Sequence, residues 1–186
     1  MNIPRIITIV LTIGAIVFVV LILSDPYFFA NTKKMRKNAE SKLEEGIMGN
    51  PNAFKEASYF FSSLIDQGHG DRQTYDLLYW SYRYDKNFTL AEETLDEALE
   101  VYPDDPGFLY HRAEMRLELG KYEEALQDYN AIIPAADGKS FYYDALYGRG
   151  AARYKLGQEK EAEADRVKAQ ALTQDTLQTY AVYFKE

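Results

Sequence analysis

Between Glu118 and Ile133 the chain reads ELGKYEEALQDYNAII. Apolar residues recur at helical spacing on both sides of Gly120, yet a glycine inside a helix weakens it. A helix that stops at Gly120 and restarts two residues later resolves the conflict. Helix ends need a left-handed backbone conformation, and glycine adopts it without steric cost. The stretch is therefore the corner of a helical hairpin.

The corner recurs. Leu109–Ile132, LYHRAEMRLELGKYEEALQDYNAI, lies over Leu146–Ala169, LYGRGAARYKLGQEKEAEADRVKA, at an offset of 37 residues. Leu109-Tyr110, Arg112, Leu119-Gly120, Glu124 and Ala125 find identical residues there. Stepping back 34 residues, Phe88, Ala91, Leu95 and Ala98 fall under Tyr122, Ala125, Tyr129 and Ile132. Phe54, Ala57, Phe61 and Leu64 occupy the same columns another 34 residues earlier. Each copy predicts two amphipathic helices of about 13 residues joined by a turn at Gly120, Gly157 or Asp85-Lys86-Asn87. Ala91, Ala125 and Ala162 are small where paired helices approach closely, while Phe88 and Tyr122 are large where a following helix is wedged. Pro103 and Pro106 stop one pair and start the next.

This pattern resembles the tetratricopeptide repeat, a 34-residue helix pair. The resemblance runs from Asn38 to Gln174: a divergent copy at 38–71, then 72–105, 106–139 and 143–174. The first copy departs most, with a polar first helix and Gly46 and Gly49 near its end; Ala135–Ser140 (AADGKS) adds three residues before the last. Other helical-pair solenoids share a similar repeat length. The expected fold is all-α, a right-handed superhelix of stacked helix pairs. Residues 175–186 begin where a fifth copy would, and Tyr180, Tyr183 and Phe184 mark a short capping helix over the last apolar edge.

The resemblance implies a concave groove lined by the first helix of each pair, where a peptide or partner helix docks. It places Asp76, Leu77, Trp80, Arg83 and Tyr84 there from the second copy. The third contributes Tyr110, His111 and Glu114; the fourth contributes Tyr147, Gly148, Ala151 and Lys155. Trp and Tyr dominate binding hot spots, so Trp80, Tyr110 and Tyr147 are candidate anchors, with packing between repeats as the competing role. Family members that grip a chaperone's C-terminal carboxylate use Lys, Arg and Asn along the groove. The matching places here are Asp76, Trp80, Gly107, His111, Asp144 and Gly148, so that partner is not expected.

Outside the repeats, Ile6–Leu23 (IITIVLTIGAIVFVVLIL) carries no charge. Its 18 residues span roughly 27 Å as a helix, close to the hydrocarbon thickness of a bilayer. A retained single-pass anchor within residues 1–23 is expected over a cleaved signal peptide, whose apolar run is shorter and whose cleavage site Phe28 beside Ala30 fits poorly. A basic linker follows at 24–37, carrying Lys33, Lys34, Arg36 and Lys37 against Asp25. Setting aside these residues and Arg5, the totals of 21 basic and 29 acidic residues leave 16 against 28, a strongly acidic body. The collar is attracted to anionic headgroups, and the body argues against nucleic acid. The excess of basic residues after the span favours a cytoplasmic body; a bacterial signal-anchor reading, opened by Arg5, would instead place it in the periplasm.

Little in the chain suggests chemistry. There is no cysteine, and the two histidines, His69 and His111, stand apart, so neither a metal nor another cofactor is expected. Gly148-Arg149-Gly150 lacks the preceding strand of a phosphate loop and is expected as close helix packing. Asn87-Phe88-Thr89 is formally a glycosylation sequon and otherwise a turn. The expectation is a non-enzymatic, membrane-anchored adaptor or assembly factor that binds a partner protein. The alternative is a structural accessory subunit of a large membrane complex.

Overall fold

The computed structural model describes residues 26–136, 142–173 and 176–185. The elements are α1 (Pro26–Ile47), α2 (Ala53–Asp66), α3 (Arg72–Tyr84), α4 (Phe88–Val101), α5 (Pro106–Glu118), α6 (Tyr122–Ala136), α7 (Tyr142–Lys155), α8 (Glu159–Thr173) and α9 (Tyr180–Tyr183). Among the described residues there is no strand. From α1 to α8 each helix packs on its neighbours in sequence, and α5 also touches α7. Four hairpins thus stack in a line, as the repeats require. The expected anchor Ile6–Leu23 lies outside the described residues, among which no helix is long and apolar enough to cross a membrane.

The corners explain the turn residues. Gly120 and Gly157 have φ of +74° and +75°. Beyond them the Lys121 N–H donates to the Arg116 carbonyl (2.8 Å), and the Gln158 N–H to that of Arg153 (2.9 Å). Both bonds satisfy carbonyls the helix end leaves open. The second hairpin closes the same way through Asn87 N–H and the Tyr82 carbonyl (2.9 Å), with Lys86 at φ 59°. A side chain there costs roughly 1–2 kcal/mol that glycine avoids. Asn87 recovers part of it by accepting the Leu90 N–H, which makes the sequon-like triplet a helix cap.

The core follows the columns read from the sequence. Ala57, Ala91, Ala125 and Ala162 are all buried at the crossings, and Phe61, Leu95 and Tyr129 sit buried two turns or less further on. Together they divide the interior into clusters strung along the stack. Among the described residues the core is thus a string of clusters, each hairpin burying its stripe against its neighbours.

One boundary differs from expectation. The basic stretch at 24–37 is helical from Pro26 onward and forms the first turns of α1. Lys33, Lys34 and Lys37 are exposed, but Arg36 is held: its guanidinium contacts the Asp71 carboxylate at 3.0 and 3.3 Å. Asp71 caps α3 by accepting the Thr74 N–H (2.8 Å) and hydroxyl (2.6 Å). The next junction repeats the device: Arg72 contacts Asp105 at 2.7 and 3.1 Å, and Asp105 caps α5 at the Gly107 and Phe108 N–H groups. In both, an arginine of one hairpin binds the cap of the following one, which fixes how successive repeats join.

Candidate functional site

The first helices of the second, third and fourth hairpins present one continuous face. Along it runs a chain of rings, whose ends, Phe54 on α2 and Tyr129 on α6, are buried residues of second helices. Phe54 stacks on Tyr84 (5.3 Å between centroids) and Tyr84 on Trp80 (5.6 Å). Trp80 meets His111 edge-on (5.3 Å), His111 meets Tyr110 (5.5 Å), and Tyr110 meets Tyr129 (6.3 Å). Arg83 lies 5.5 Å over the Trp80 ring. Rings four apart on one helix, Trp80 and Tyr84, fall side by side, and the packing of neighbouring helices brings Phe54 to Tyr84, Trp80 to His111 and Tyr110 to Tyr129.

Where this face meets the fourth hairpin it deepens into a cavity of about 100 Å³. Arg83 comes from α3; Tyr110, Glu114, Leu117 and Glu118 from α5; Tyr129 from α6; Asp144, Tyr147 and Gly148 from α7; Tyr183 from α9. Burial pushes the phenol pKa values of Tyr110 and Tyr129 upward, so both stay neutral. Burial, with the nearby Glu114 charge, also raises the Asp144 carboxyl despite a Tyr143 hydrogen bond. The site therefore offers neutral hydroxyls and an excess of carboxylates around a small recess.

The candidate residues divide in the structure. Arg83, Tyr110, Glu114, Tyr147 and Gly148 converge on the cavity. Trp80, Tyr84 and His111 lie beside it in the ring chain; Tyr84 is 46% exposed. His111 also stacks on buried Tyr79 (4.6 Å), with its Nδ1 3.4 Å from Glu114. Asp76 is half-buried on α3, Leu77 packs against the core between α2 and α3, and Ala151 is buried under α9. Lys155 lies 4.3 Å over the Phe184 ring, so it serves the tail. Leu117, Glu118, Tyr129, Asp144 and Tyr183 complete the cavity, and the sequence reading left them out of the site.

The tail accounts for several of these. Tyr180 is buried, stacks on Tyr147 (5.1 Å) and donates from its hydroxyl to the Tyr147 carbonyl (3.1 Å). Tyr147 in turn donates to the Gln178 carbonyl (3.0 Å), and Arg166 to that of Leu177 (3.0 Å). The single turn α9 thus covers the exposed end of the last hairpin, as expected of a cap. It also places Tyr183 on the cavity wall, edge-on to Tyr147 at 5.7 Å.

Gly148 and Gly150 belong to this packing. A β-carbon at Gly148 would overlap the Tyr129 ring, and one at Gly150 would overlap the Tyr180 hydroxyl. The triplet that superficially suggests a phosphate loop admits two tyrosines instead.

Residues 78–140 match the family model for the tetratricopeptide repeat. The fold is that of a tetratricopeptide-repeat solenoid. Solved structures agree. The solenoid is similar to the MamA RS-1 ArsTM double mutant, with a TM-score of 0.66 and 20% identity over 76% of this chain and 74% of that one. It is similar to a tetratricopeptide repeat protein from Parabacteroides merdae, at 0.63 and 21% over 77% of this chain and 56% of that one. The MamA protein gives 0.63 and 18% over 86% and 84%. At these identities the likeness concerns the fold alone. No curated protein matches the chain by sequence.

Proposed function

We propose that the chain is a membrane-anchored interaction scaffold whose concave solenoid face captures a segment of a partner protein. The observation that carries this reading is the chain of rings from Phe54 to Tyr129, which crosses three hairpins and ends at the cavity. Trp and Tyr bury large area at small entropic cost, and hot spots concentrate on them. Tyr84 and Trp80 supply apolar surface, and the half-buried Asp76, Arg83 and Glu114 supply a polar rim. The apolar segment Ile6–Leu23 supports the anchor.

The same reading puts the solenoid in the cytoplasm, where the positive charge beyond the span is retained. Protease added to intact cells or spheroplasts should leave the solenoid whole until lysis; digestion before lysis would move it to the other side.

Capture of partners from solubilised membranes tests the proposal. Trp80→Ala with Tyr110→Ala should abolish capture while the circular dichroism stays helical, since truncating a hot-spot anchor costs at least about 2 kcal/mol. Unfolding of that variant would mean that the rings are only core. A stoichiometric, detergent-stable complex that survives both substitutions would favour a permanent subunit held through other surfaces.

A further inference from the structure

The cavity at the end of the ring chain has a definite chemistry. Glu114, Glu118 and Asp144 bring three carboxyl groups to it, against the one guanidinium of Arg83. Four tyrosines, Tyr110, Tyr129, Tyr147 and Tyr183, form its walls. Tyr129 is 1% exposed, and its hydroxyl faces the recess beside Gly148 without a hydrogen-bond partner among the described residues. That hydroxyl can bond to a polar group that enters the recess.

Three kinds of occupant can be compared. An anionic group would meet three carboxyl groups and one arginine. A neutral apolar group would strip water from those carboxylates and return nothing, which is unfavourable. A cation would pair with the carboxylates, rest on tyrosine faces, and use hydrogen-bond acceptors already in place. A recess of about 100 Å³ holds the end of a side chain and a few waters, but no folded element.

We infer that this cavity is a pocket for one basic side chain, the ammonium of a lysine or the guanidinium of an arginine, presented by the partner segment docked on the ring chain. The inference rests on the groove reading above and adds the chemistry of the residue recognised.

The test uses the full chain in detergent and fluorescein-labelled Gly-Ser peptides carrying four arginines, four lysines, four citrullines or four glutamates. The basic peptides should bind. Citrulline, which keeps the shape of arginine without its charge, should bind at least tenfold more weakly, and glutamate not at all. Glu114→Gln with Asp144→Asn should weaken the arginine peptide at least tenfold. Glu123→Gln with Glu124→Gln removes the same charge from exposed positions on α6 and should weaken it less than threefold. Equal losses in the two double variants would overturn the pocket in favour of diffuse acidic attraction, and equal binding of the citrulline peptide would overturn it outright. Should the Glu114/Asp144 variant fold poorly, Glu118→Gln on the exposed rim should still cost about threefold, and no change there counts against the pocket. If that pair of substitutions spares native-partner capture while Trp80→Ala with Tyr110→Ala abolishes it, the cation pocket falls and the groove stands.

Discussion

The hydroxyl of Tyr129 occupies the space that a β-carbon on Gly148 would fill. Tyr129 is fully buried on α6 and Gly148 lies on α7, so this contact sets how closely the third and fourth hairpins approach. Alanine is about 1 kcal/mol better than glycine inside a helix, so any loss of stability in Gly148→Ala reports the displaced ring. We expect a net loss of up to about 2 kcal/mol, because overpacking a tight contact costs about 1–3 kcal/mol and the alanine gain offsets about 1 kcal/mol of it. Combined with Tyr129→Ala, the two losses should be clearly less than additive. Additive losses in urea unfolding would show that the residues do not share the site.

The two last hairpins carry an ionic device that the second lacks. Asp128 accepts from Arg112 (2.7 and 3.0 Å) and Arg116 (2.6 Å), and Asp165 accepts from Arg149 (2.6 and 2.8 Å) and Arg153 (2.7 Å). One repeat before Arg112, Arg116 and Asp128 stand Leu78, Tyr82 and Thr94, an uncharged solution to the same space. Removing one partner of a buried cluster strands the others, so Asp165→Ala should cost about 3–5 kcal/mol. Transplanting all three residues together, Arg149→Leu, Arg153→Tyr and Asp165→Thr, should cost far less. A triple variant as unstable as Asp165→Ala would refute the equivalence of the sites.

The capping aspartates predict the acid limb of stability. Burial opposes their charge, but the Thr74 hydroxyl and N–H with Arg36 hold Asp71 below the ordinary carboxylate value, and Arg72 with the Phe108 and Gly107 N–H groups does the same for Asp105. A carboxyl depressed on folding stabilises fully above its unfolded pKa, about 3.9, and that contribution fades as pH falls through the lower folded value. Asn caps a helix nearly as well as Asp. Asp105→Asn should therefore lower the melting temperature slightly at neutral pH and shrink its fall between about pH 5 and pH 3. An unchanged acid limb would remove the ion pair from the account.

Repeat, corner and crossing residues were legible because each is a local requirement. Gly120 and Gly157 need positive φ, and Ala91, Ala125 and Ala162 need to be small, whatever surrounds them. The inner face was read by register alone, and of the residues it assigned, Arg83, Tyr110, Glu114 and Tyr147 line the cavity. Glu118, one repeat after Tyr84, and Asp144, one repeat after Gly107, also line the cavity, though the groove reading did not single them out. Tyr129 occupies a core column yet turns its hydroxyl to the recess, and Tyr183 arrives from a tail whose path no repeat dictates. Helical continuation of the basic stretch into α1 was hidden for a similar reason, since its polar face gives no apolar period to read.

The tail predicts a coupled effect. Because Tyr180 packs where a β-carbon at Gly150 would lie, and the Ala162 carbonyl stands 3.0 Å away from the same point, Gly150→Ala should expel α9. Faster proteolysis of the last ten residues, with α1–α6 unchanged in hydrogen exchange, is the expected outcome. Equal protection of the tail in both proteins would contradict the packing.

Site-specific photocrosslinking in living membranes tests the central claim most directly. A benzoylphenylalanine at Tyr84, in the ring chain and 46% exposed, is compared with one at Tyr59 on α2, 68% exposed and outside it. If the concave face captures a partner segment, Tyr84 gives a discrete adduct that disappears with Trp80→Ala and Tyr110→Ala, and Tyr59 gives none. An adduct at Tyr59 alone, or one at Tyr84 that survives those substitutions, would contradict it.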